Sequence, residues 1–328
     1  MINIEENSNI YEKKTAIGYS TIAKHGTIKI VSIMNFLQDA ASEHAHLMGI
    51  SGFDLAKENL GWVIFRYHIE IKNHPDWQEK IRVQTYRFPC KNLYEIRVLT
   101  ITKDVQKNIK NEQENFTSPE IKIKERDNEF VNAKGCWIMI NKKNGRPVRL
   151  SRFTDKELGF VDTNKQSVIA DVIIDKDSAQ EPLSSKNIEV SEKNEGLESH
   201  FAEVIKPETI HYQLPFKVRM HDLDLNGHVN NAIFVEWGVE TVPENILSKF
   251  FPATIDVVFN KESLYGDVII SHTEIRQESG NPFTLHSIIR QQDQAELARL
   301  NICWQVLPEK RLPFSIITKE YSTSSSSE

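Results

Sequence analysis

The chain has 328 residues and a formal net charge of −6 at pH 7. This length fits two domains of about 100–200 residues each. Hydrophobic residues make up 39% of the sequence and charged residues 26%, which excludes a fully disordered chain and indicates a globular protein with a core. Because 46 Asp and Glu outnumber 40 Lys and Arg, the overall electric field does not favour nucleic acid as a partner.

The N-terminus and the cysteines indicate the compartment. Residues 1–14 are polar and acidic, so they lack the basic start and the apolar run of a signal peptide. No stretch reaches the ~20 apolar residues that a membrane-spanning helix needs. Cys90, Cys136 and Cys303 match no metal or redox spacing, which favours a reducing compartment. We expect a cytoplasmic protein that needs no metal or organic cofactor.

Composition also divides the chain. Residues 104–129 are rich in Asn, Glu and Lys and predict a mobile insertion between two strands. A second polar region predicts an interdomain linker over residues 156–208. The low-complexity end predicts a disordered tail over residues 313–328. The predicted domains are therefore residues 1–155 and 209–312.

The first predicted helix is IVSIMNFLQDAASEHAHLMG, whose apolar residues recur every three to four positions. The following segment, WVIFRYHIEI, alternates between apolar and polar residues, as a half-buried strand does. Its predicted inner side chains are Val63, Phe65, Tyr67, Ile69 and Ile71. Similar alternation in KIRVQTY, LYEIRVLTIT and GCWIMI predicts further strands, and short linked strands favour an antiparallel sheet.

The second half repeats this order about two hundred residues later. A helix is predicted over NNAIFVEWGVETVPENIL, with strands at ATIDVVF, GDVIISHTEI, FTLHSIIR and ARLNICWQV. A helix packed on an antiparallel sheet, twice in one chain, predicts an α+β fold. Two tandem hot-dog domains, each a long helix wrapped by an antiparallel sheet, would satisfy this pattern as a pseudo-dimer.

The densest group of reactive side chains lies in MHDLDLNGHVNNAIFVEW. Asp224, Asn226 and His228 alternate, so an extended segment would place all three on one side. Asn230 stands where the second helix is predicted to begin, and Asn is a preferred N-cap. A carboxylate, an imidazole, an amide and a helix N-terminus can together activate a nucleophile and hold a developing oxyanion. The pattern is typical of a hydrolytic site, although Asp and Asn are also ordinary turn and cap residues.

The same segment carries a resemblance to a known family. DLDLNGHVNNAIFVEWGVETVP closely resembles the C-terminal motif of the acyl-acyl-carrier-protein thioesterases of plants and bacteria. NFLQDAASEHAHLMG with GWVIFRYHIEI, and AKGCWIMINKKNGRPVRL, resemble two parts of the family's first domain. The resemblance implies tandem hot-dog domains and hydrolysis of fatty acyl-acyl carrier protein to free fatty acid.

The resemblance also implies that Asp224, Asn226 and His228 belong to the catalytic network. Its remaining acid would be Glu262, on a strand at VVFNKES, followed by Ser263 where the plant pattern has Cys. A serine nucleophile needs a base in hydrogen-bond contact, whereas water activated by Glu262 and His228 demands nothing of position 263. Water is therefore favoured, with Asn226 and the helix N-terminus holding the thioester oxygen and Asp224 orienting the network.

The first half has different residues at the corresponding positions. Superposing the helix starts places Ala23, His25 and Thr27 opposite the acid, the amide and the imidazole. This half is therefore expected to enclose the acyl chain. The candidate pocket walls are Met34, Phe36, Leu47, Met48, Trp62 and Phe65. Glu43 and His44 are the alternative catalytic pair, but adjacent helical residues point about 100° apart, so structural roles are expected.

A basic segment offers a docking surface for an acidic partner. NKKNGRPVRLSR carries five basic residues and no acid, namely Lys142, Lys143, Arg146, Arg149 and Arg152. Asn144-Gly145 predicts a tight turn that would expose them. Because the chain is itself net negative, an acidic acyl carrier protein needs such a local patch, although a solvated turn is the simpler interpretation.

Two other functions remain open. One is hydrolysis of acyl-coenzyme A, because the chemistry is the same and only the carrier differs. The other is a non-catalytic protein that binds the acyl group or its carrier. The sequence also leaves open the preferred chain length and whether the pseudo-dimer pairs into a homodimer.

Overall fold

The computed structural model describes residues 10–105, 128–150, 200–278 and 280–307. The first half contains β1 (Tyr11–Ala16), α1 (Ile30–Leu47), α2 (Gly52–Ala56), β2 (Leu60–Ile71), β3 (Lys80–Cys90), β4 (Tyr94–Lys103) and β5 (Glu129–Asn141). The second half contains β6 (Tyr212–Lys217), α3 (Asn231–Glu240), α4 (Glu244–Leu247), β7 (Phe250–Phe259), β8 (Val268–Glu278), β9 (Asn281–Arg290) and β10 (Glu296–Val306). Short 3₁₀ turns follow the first strand of each half, at Tyr19–Thr21 and Met220–Asp222.

In the described part of the chain, ten strands form one sheet in the order β1-β3-β4-β5-β2-β7-β10-β9-β8-β6. The two halves join through β2 and β7, which pair antiparallel with Arg66 opposite Val258 and Glu70 opposite Thr254. Because these strands run in opposite directions, the start of β2 lies at the same end of the sheet as the end of β7. The loop that follows β7 therefore lies at the end of the sheet where β2 begins.

The two long helices lie on one face of the sheet. α1 contacts strands of the first half, α3 contacts strands of the second half, and the two helices contact each other. On α1, Ile33, Met34 and Leu37 are buried in a core shared by both halves. Burying each such side chain contributes about 1.5–3 kcal/mol. The α+β fold with two tandem hot-dog units is confirmed.

The predicted inner face of β2 is wrong near its start. The pairing of β2 with β5 shifts register across Phe65, an extra residue that forms a β-bulge. Beyond the bulge, Tyr67 is buried among the predicted inner residues. Before the bulge, Val63 is exposed, and Phe65 packs beside Tyr94 in a cluster separate from the helix-covered core. A bulge reverses the alternation, and the sequence pattern did not reveal it.

The second predicted helix is interrupted. It was expected to run over residues 230–247, but α3 ends at Glu240 and α4 begins after Pro243, its N-cap. Proline has no backbone N–H and disfavours the helical conformation of the residue before it, Val242. The predicted apolar positions Phe234 and Trp237 are nevertheless buried in the core.

Part of the predicted linker packs on the sheet. Residues 200–206 cross the outer face near the junction of the halves, where Phe201 is buried beneath the Arg66 guanidinium. Arg299 and Asn301 donate hydrogen bonds to carbonyl groups of this segment. The rest of the predicted linker up to residue 199 lies outside the described residues.

Two further predictions fall largely on parts of the chain that are not described. Most of the predicted insertion, residues 106–127, lies outside the described residues, but the flanking strands β4 and β5 pair directly with each other. The predicted tail also lies outside them. Within the described ranges, no helix is long and apolar enough to cross a membrane.

Candidate active site

Residues 223–229 form a tight loop, so the prediction of an extended segment is wrong. The Asp224 N–H donates to the His228 carbonyl at 2.7 Å, and Gly227 has a φ of +79° that closes the turn. The Asp224 carboxylate accepts the backbone N–H of Asn226 at 2.8 Å and that of His228 at 3.3 Å. The Asp224 side chain therefore stabilises the loop by bonding to two of its backbone N–H groups.

Glu262 reaches this loop from the segment after β7. Its Oε2 lies 3.3 Å from Nε2 of His228, and the two side chains are 64% and 39% exposed, so water and a substrate can reach them. Because β7 ends at Phe259, Glu262 lies in a loop and not on the strand expected for VVFNKES. The structure thus brings together the carboxylate and the imidazole that the sequence selected.

Ser263 is placed differently from an exposed nucleophile. Its side chain is 0% exposed, and its hydroxyl donates to Oδ2 of Asp267 at 2.9 Å. Its carbonyl accepts the N–H of Val229 at 2.9 Å, which joins the segment to the loop of His228. The hydroxyl is therefore covered and bonded to Asp267, and Ser263 links two loops.

Asn230 is the N-cap of α3, as predicted. Its side chain accepts the Ala232 N–H at 2.9 Å, and its carbonyl accepts the Ile233 N–H at 2.9 Å. Two donors of the first helical turn are therefore used within the helix, which reduces what the N-terminus offers an oxyanion. The exposed side chain of Asn226 is an additional amide donor; its Nδ2 makes a long contact of 3.5 Å with Asp224.

The first half contains the same loop without the same chemistry. The Ala23 N–H donates to the Thr27 carbonyl at 2.7 Å, and Gly26 has a φ of +75°. This matches the loop of Asp224 about 200 residues later and confirms the predicted superposition. The side chains of Ala23, His25 and Thr27 provide no carboxylate, so this loop lacks an acid partner for an imidazole.

The first half also lacks a carboxylate at the position of Glu262. The two halves can be aligned at an equivalent hydrogen bond. Glu79 and Asp267 each accept the N–H of the residue three positions earlier, at 2.8 and 3.0 Å. This alignment places His74 at the Glu262 position. His74 is buried, and its ring packs edge-on against Phe251 with centroids 4.6 Å apart.

Glu43 and His44 have separate partners, as their adjacency on α1 predicted. The Glu43 carboxylate accepts hydrogen bonds from the Tyr11 hydroxyl and the Lys13 ammonium. His44 is buried, with Nδ1 3.0 Å from Nη1 of Arg97. Burial, with the charges of Arg97 and a second arginine, lowers the pKa of His44 to about 3. Glu43 and His44 are therefore each held by their own partners, and a structural role stays a prediction.

A buried charged cluster of the first half was not predicted. Arg87 is 0% exposed and Arg97 and Glu95 are each 3% exposed, and the Glu95 carboxylate pairs with both guanidinium groups. The guanidinium carbons lie 5.5 Å from the Trp62 ring and 5.9 Å from the Trp137 ring. Alternation correctly predicts the strands, but arginine is rarely buried, so the sequence pattern did not indicate this cluster.

The predicted pocket walls are divided among different environments. Met34 belongs to the shared core, and Trp62 stacks near the buried arginine pair. Leu47 is exposed at the end of α1, and Phe65 lies in the separate cluster with Tyr94. Among the residues that the structure describes, no group of three or more His, Cys, Asp or Glu could hold a metal ion.

The predicted basic turn lies at the same end of the sheet as Glu262. Asn141 closes the turn, Gly145 has a φ of +67°, and the Lys142 N–H donates to the Asn59 carbonyl just before β2. Arg149 lines a shallow depression with Lys91, Asn92 and Leu93 of the β3–β4 hairpin. Arg152 lies outside the described residues. Exposed basic residues therefore lie at the end of the sheet where β7 leads to Glu262.

Two family models match most of the residues that the structure describes. The acyl-ACP thioesterase N-terminal domain matches residues 8–113, and the acyl-ACP thioesterase C-terminal domain matches residues 205–306. The chain belongs to the acyl-ACP thioesterase family. The matched ranges include β1 to β4 of the first half, every strand of the second half, and the loop of His228 with Glu262.

Curated relatives have the same family name. The chain is 24% identical to the chloroplastic oleoyl-acyl carrier protein thioesterase of Coriandrum sativum, over 83% of this chain and 64% of the relative. It is 21% identical to the chloroplastic dodecanoyl-[acyl-carrier-protein] hydrolase of Cinnamomum camphora, over 90% of this chain and 68% of the relative. The chain thus spans about two thirds of the length of these relatives.

Solved structures share the fold of this acyl-ACP thioesterase family member. The 12:0-ACP thioesterase of Umbellularia californica superposes with a TM-score of 0.64 at 18% identity, covering 93% of this chain and 98% of that one. An acyl-ACP thioesterase of Bacteroides thetaiotaomicron superposes with a TM-score of 0.62 at 18% identity, covering 92% and 100%. At these identities the likeness establishes the fold.

Proposed function

We propose that this chain hydrolyses fatty acyl thioesters of acyl carrier protein and releases free fatty acid. The contact between His228 and Glu262 carries the proposal, because it places a base and its partner together at an exposed loop. Family membership supports the acyl-carrier substrate, as do the names of the Coriandrum and Cinnamomum relatives.

Water is the proposed nucleophile. Its oxygen attacks the thioester carbonyl carbon while the Glu262 carboxylate accepts its proton, with the His228 imidazole in hydrogen-bond reach. The carbon–sulfur bond then breaks, the carrier leaves as a thiol after taking up that proton, and the fatty acid remains. Asn226 holds the carbonyl oxygen with its exposed amide, and Asp224 holds the loop. The buried hydroxyl of Ser263 supports water over a serine nucleophile.

A side-by-side assay tests this function against its alternatives. Release of thiol is measured from acyl-acyl carrier protein and acyl-coenzyme A, with the wild type and with Glu262→Gln. We expect a higher kcat/KM on the carrier substrate and a loss of turnover on both substrates in the variant. A higher kcat/KM on coenzyme A would instead support an acyl-CoA thioesterase. Binding without release would support a non-catalytic acyl-binding protein.

The basic turn is proposed to dock the carrier. Lys142, Lys143, Arg146 and Arg149 are exposed, and the turn lies beside β2 at the end of the sheet where β7 leads to Glu262. Neighbouring strands are about 4.8 Å apart, so the two strand steps from β5 to β7 span about 10 Å. An acidic carrier bound at the turn would therefore lie next to the catalytic pair.

Charge reversal tests the docking surface. Replacing Lys142, Lys143 and Arg146 with Glu should lower kcat/KM on the carrier substrate at low salt and leave the coenzyme A substrate nearly unchanged. The matched control compares two single variants of equal charge change, Lys143→Glu in the turn and Lys249→Glu away from it. Lys249 is exposed and precedes β7 at the opposite end of the sheet. Equal losses on both substrates, or no loss on either, would contradict docking at this turn.

A cytoplasmic location is proposed on the state of the cysteines. Cys136 and Cys303 form no disulfide bond. Burial raises the pKa of Cys136 to about 12, so this thiol stays protonated and unreactive. Thiols that form no disulfide bond fit a reducing compartment. Cell fractionation with an antibody against the chain checks the location, and recovery in an oxidising compartment would contradict it.

A further inference from the structure

The segment that carries Glu262 is anchored from behind by one carboxylate. Oδ2 of Asp267 accepts the Ser263 hydroxyl at 2.9 Å, the Leu264 N–H at 3.0 Å and Nη1 of Arg290 at 3.4 Å. Burial alone would raise the pKa of Asp267, but these hydrogen bonds lower it below its ordinary value. Asp267 is therefore charged at neutral pH and binds both residues that follow Glu262.

Arg290 adds a second attachment to the same segment. Its Nη1 also lies 3.4 Å from the carbonyl oxygen of Glu262, to which it donates. Its Nε and Nη2 donate to the Asp293 carboxylate at 3.0 and 2.8 Å, which fixes the guanidinium plane. The backbone of Glu262 and the side chain of Asp267 are thus held by one arginine of β9.

The opposite side of the segment is joined to the loop of the imidazole. The Ser263 carbonyl accepts the N–H of Val229, the residue after His228, at 2.9 Å. Ser263 therefore connects Asp267, through its hydroxyl, with the His228 loop, through its carbonyl. The distance between Glu262 and His228 depends on this short stretch of backbone.

The first half shows which part of this arrangement is general. There Glu79 accepts the N–H of Asp76 as Asp267 accepts that of Leu264, so the carboxylate-closed loop belongs to the fold. Pro75 occupies the Ser263 position and has neither a hydroxyl nor an N–H to donate. The serine link is therefore specific to the half that contains the catalytic pair.

We propose that Asp267 is a positioning residue that holds Glu262 against His228 through Ser263 and Arg290. Tests of this positioning role that measure turnover rest on the proposed function. Removing the carboxylate would release the segment, and a displacement of about 1 Å at a reacting group can cost about 10²-fold in rate.

A double-mutant cycle tests whether Asp267 acts through Glu262. Asp267→Asn should lower kcat about tenfold or more, with KM changed by less than about twofold. In the Glu262→Gln background the same substitution should cause no further loss, because the group it positions is already absent. An additive loss in that background would overturn the proposal.

The matched control is Glu79→Gln, which removes the equivalent carboxylate in the first half. It should leave kcat unchanged; a loss as large as that of Asp267→Asn would show a general effect on folding and overturn the proposal. If Asp267→Asn does not fold, Arg290→Lys replaces it in the cycle, because lysine keeps the charge and loses the fork that binds Asp293 and the Glu262 carbonyl.

A readout without turnover separates this inference from the proposed function. The imidazole NMR signals of His228 should move in Asp267→Asn in the same direction as in Glu262→Gln, because both changes remove the carboxylate from the ring. Unchanged signals in Asp267→Asn would overturn the positioning role. If the wild type hydrolyses no acyl thioester while the signals move as expected, the proposed function fails and the positioning role stands.

Discussion

The two halves share a backbone frame and differ in the chemistry placed on it. Each has a strand, a 3₁₀ turn, a glycine-closed loop and a helix in the same order, about 200 residues apart. In the second half the loop carries Asp224 and His228, and Glu262 faces it. In the first half Ala23 and Thr27 replace Asp224 and His228, and a buried His74 lies at the position that corresponds to Glu262. A shared backbone arrangement therefore does not imply a shared active site, because the active site depends on a few side chains.

The interiors of the two halves also differ. In the second half a buried imidazole is kept neutral: His286 is hydrogen-bonded to Thr273 and Thr284 at 2.9 and 2.8 Å, and burial lowers its pKa. In the first half a buried cluster is charged, with two arginines sharing the carboxylate of Glu95. Neutral hydrogen bonds contribute little each, whereas a buried charge that loses its partner costs several kcal/mol. The charged cluster of the first half should therefore be more sensitive to polar substitutions than the neutral cluster around His286.

The largest expected effect is on this charged cluster. Glu95→Gln leaves two buried guanidinium groups without a negative partner and should lower the free energy of unfolding by about 3–5 kcal/mol. Thr284→Val in the second half should cost about 1–2 kcal/mol, because it removes neutral hydrogen bonds. Urea unfolding of both variants makes the measurement. Equal losses would remove the proposed difference between the two interiors.

The next effect concerns the loops. Asp224→Ala, His228→Ala and Glu262→Ala should each lower turnover about 10²-fold or more, which is about 3 kcal/mol of barrier, with folding retained. His25→Ala, in the corresponding loop of the first half, should leave turnover within about twofold. Steady-state kinetics on acyl-acyl carrier protein checks this. Wild-type turnover in folded Glu262→Ala would exclude its role and return attention to Glu43.

Stability should fall as the pH is lowered below neutrality. Burial lowers the pKa of His44 and of His286 to about 3, against an ordinary value of 6.5. Between these values the unfolded chain binds more protons than the folded one, so each histidine destabilises the fold by about 1.4 kcal/mol per pH unit below 6.5.

Urea unfolding at pH 7 and pH 5 tests this dependence. His286→Gln should lower the difference in unfolding free energy between the two pH values, since one of the two neutral imidazoles is gone. The remaining difference includes the contributions of His44 in the first half and of His272, whose pKa burial also lowers. A pH dependence that is unchanged in the variant would show that His286 is not the neutral core group described here.

The smallest expected effect is that of Ser263→Ala. Loss of one buried hydrogen bond to Asp267 costs about 1 kcal/mol, so turnover should stay within about fivefold of the wild type. Mass spectrometry of the enzyme during turnover should find no acyl group on position 263. An acyl group trapped on Ser263 would overturn attack by water and make the two halves differ by a nucleophile.

Local features of this protein could be predicted from the sequence because they depend on residues close together in the chain. The helix period of α1, the N-cap Asn230 and the turn at Asn144-Gly145 follow from spacing and backbone preference. The motif around His228 was located in the same way, because its residues lie within one loop. The register of the two helix starts then identified the loop of the first half.

Contacts between distant segments depend on strand register and loop closure, which single-sequence patterns do not contain. The bulge at Phe65 reversed the predicted faces of β2, and the break at Pro243 divided the second helix. Glu262 meets His228 from a loop after β7, and the residue after Glu262 bonds to Asp267, 39 residues beyond the imidazole. The sequence around a carboxylate does not indicate which distant residue it will contact. That contact depends on the strand register and on the packing of the whole sheet.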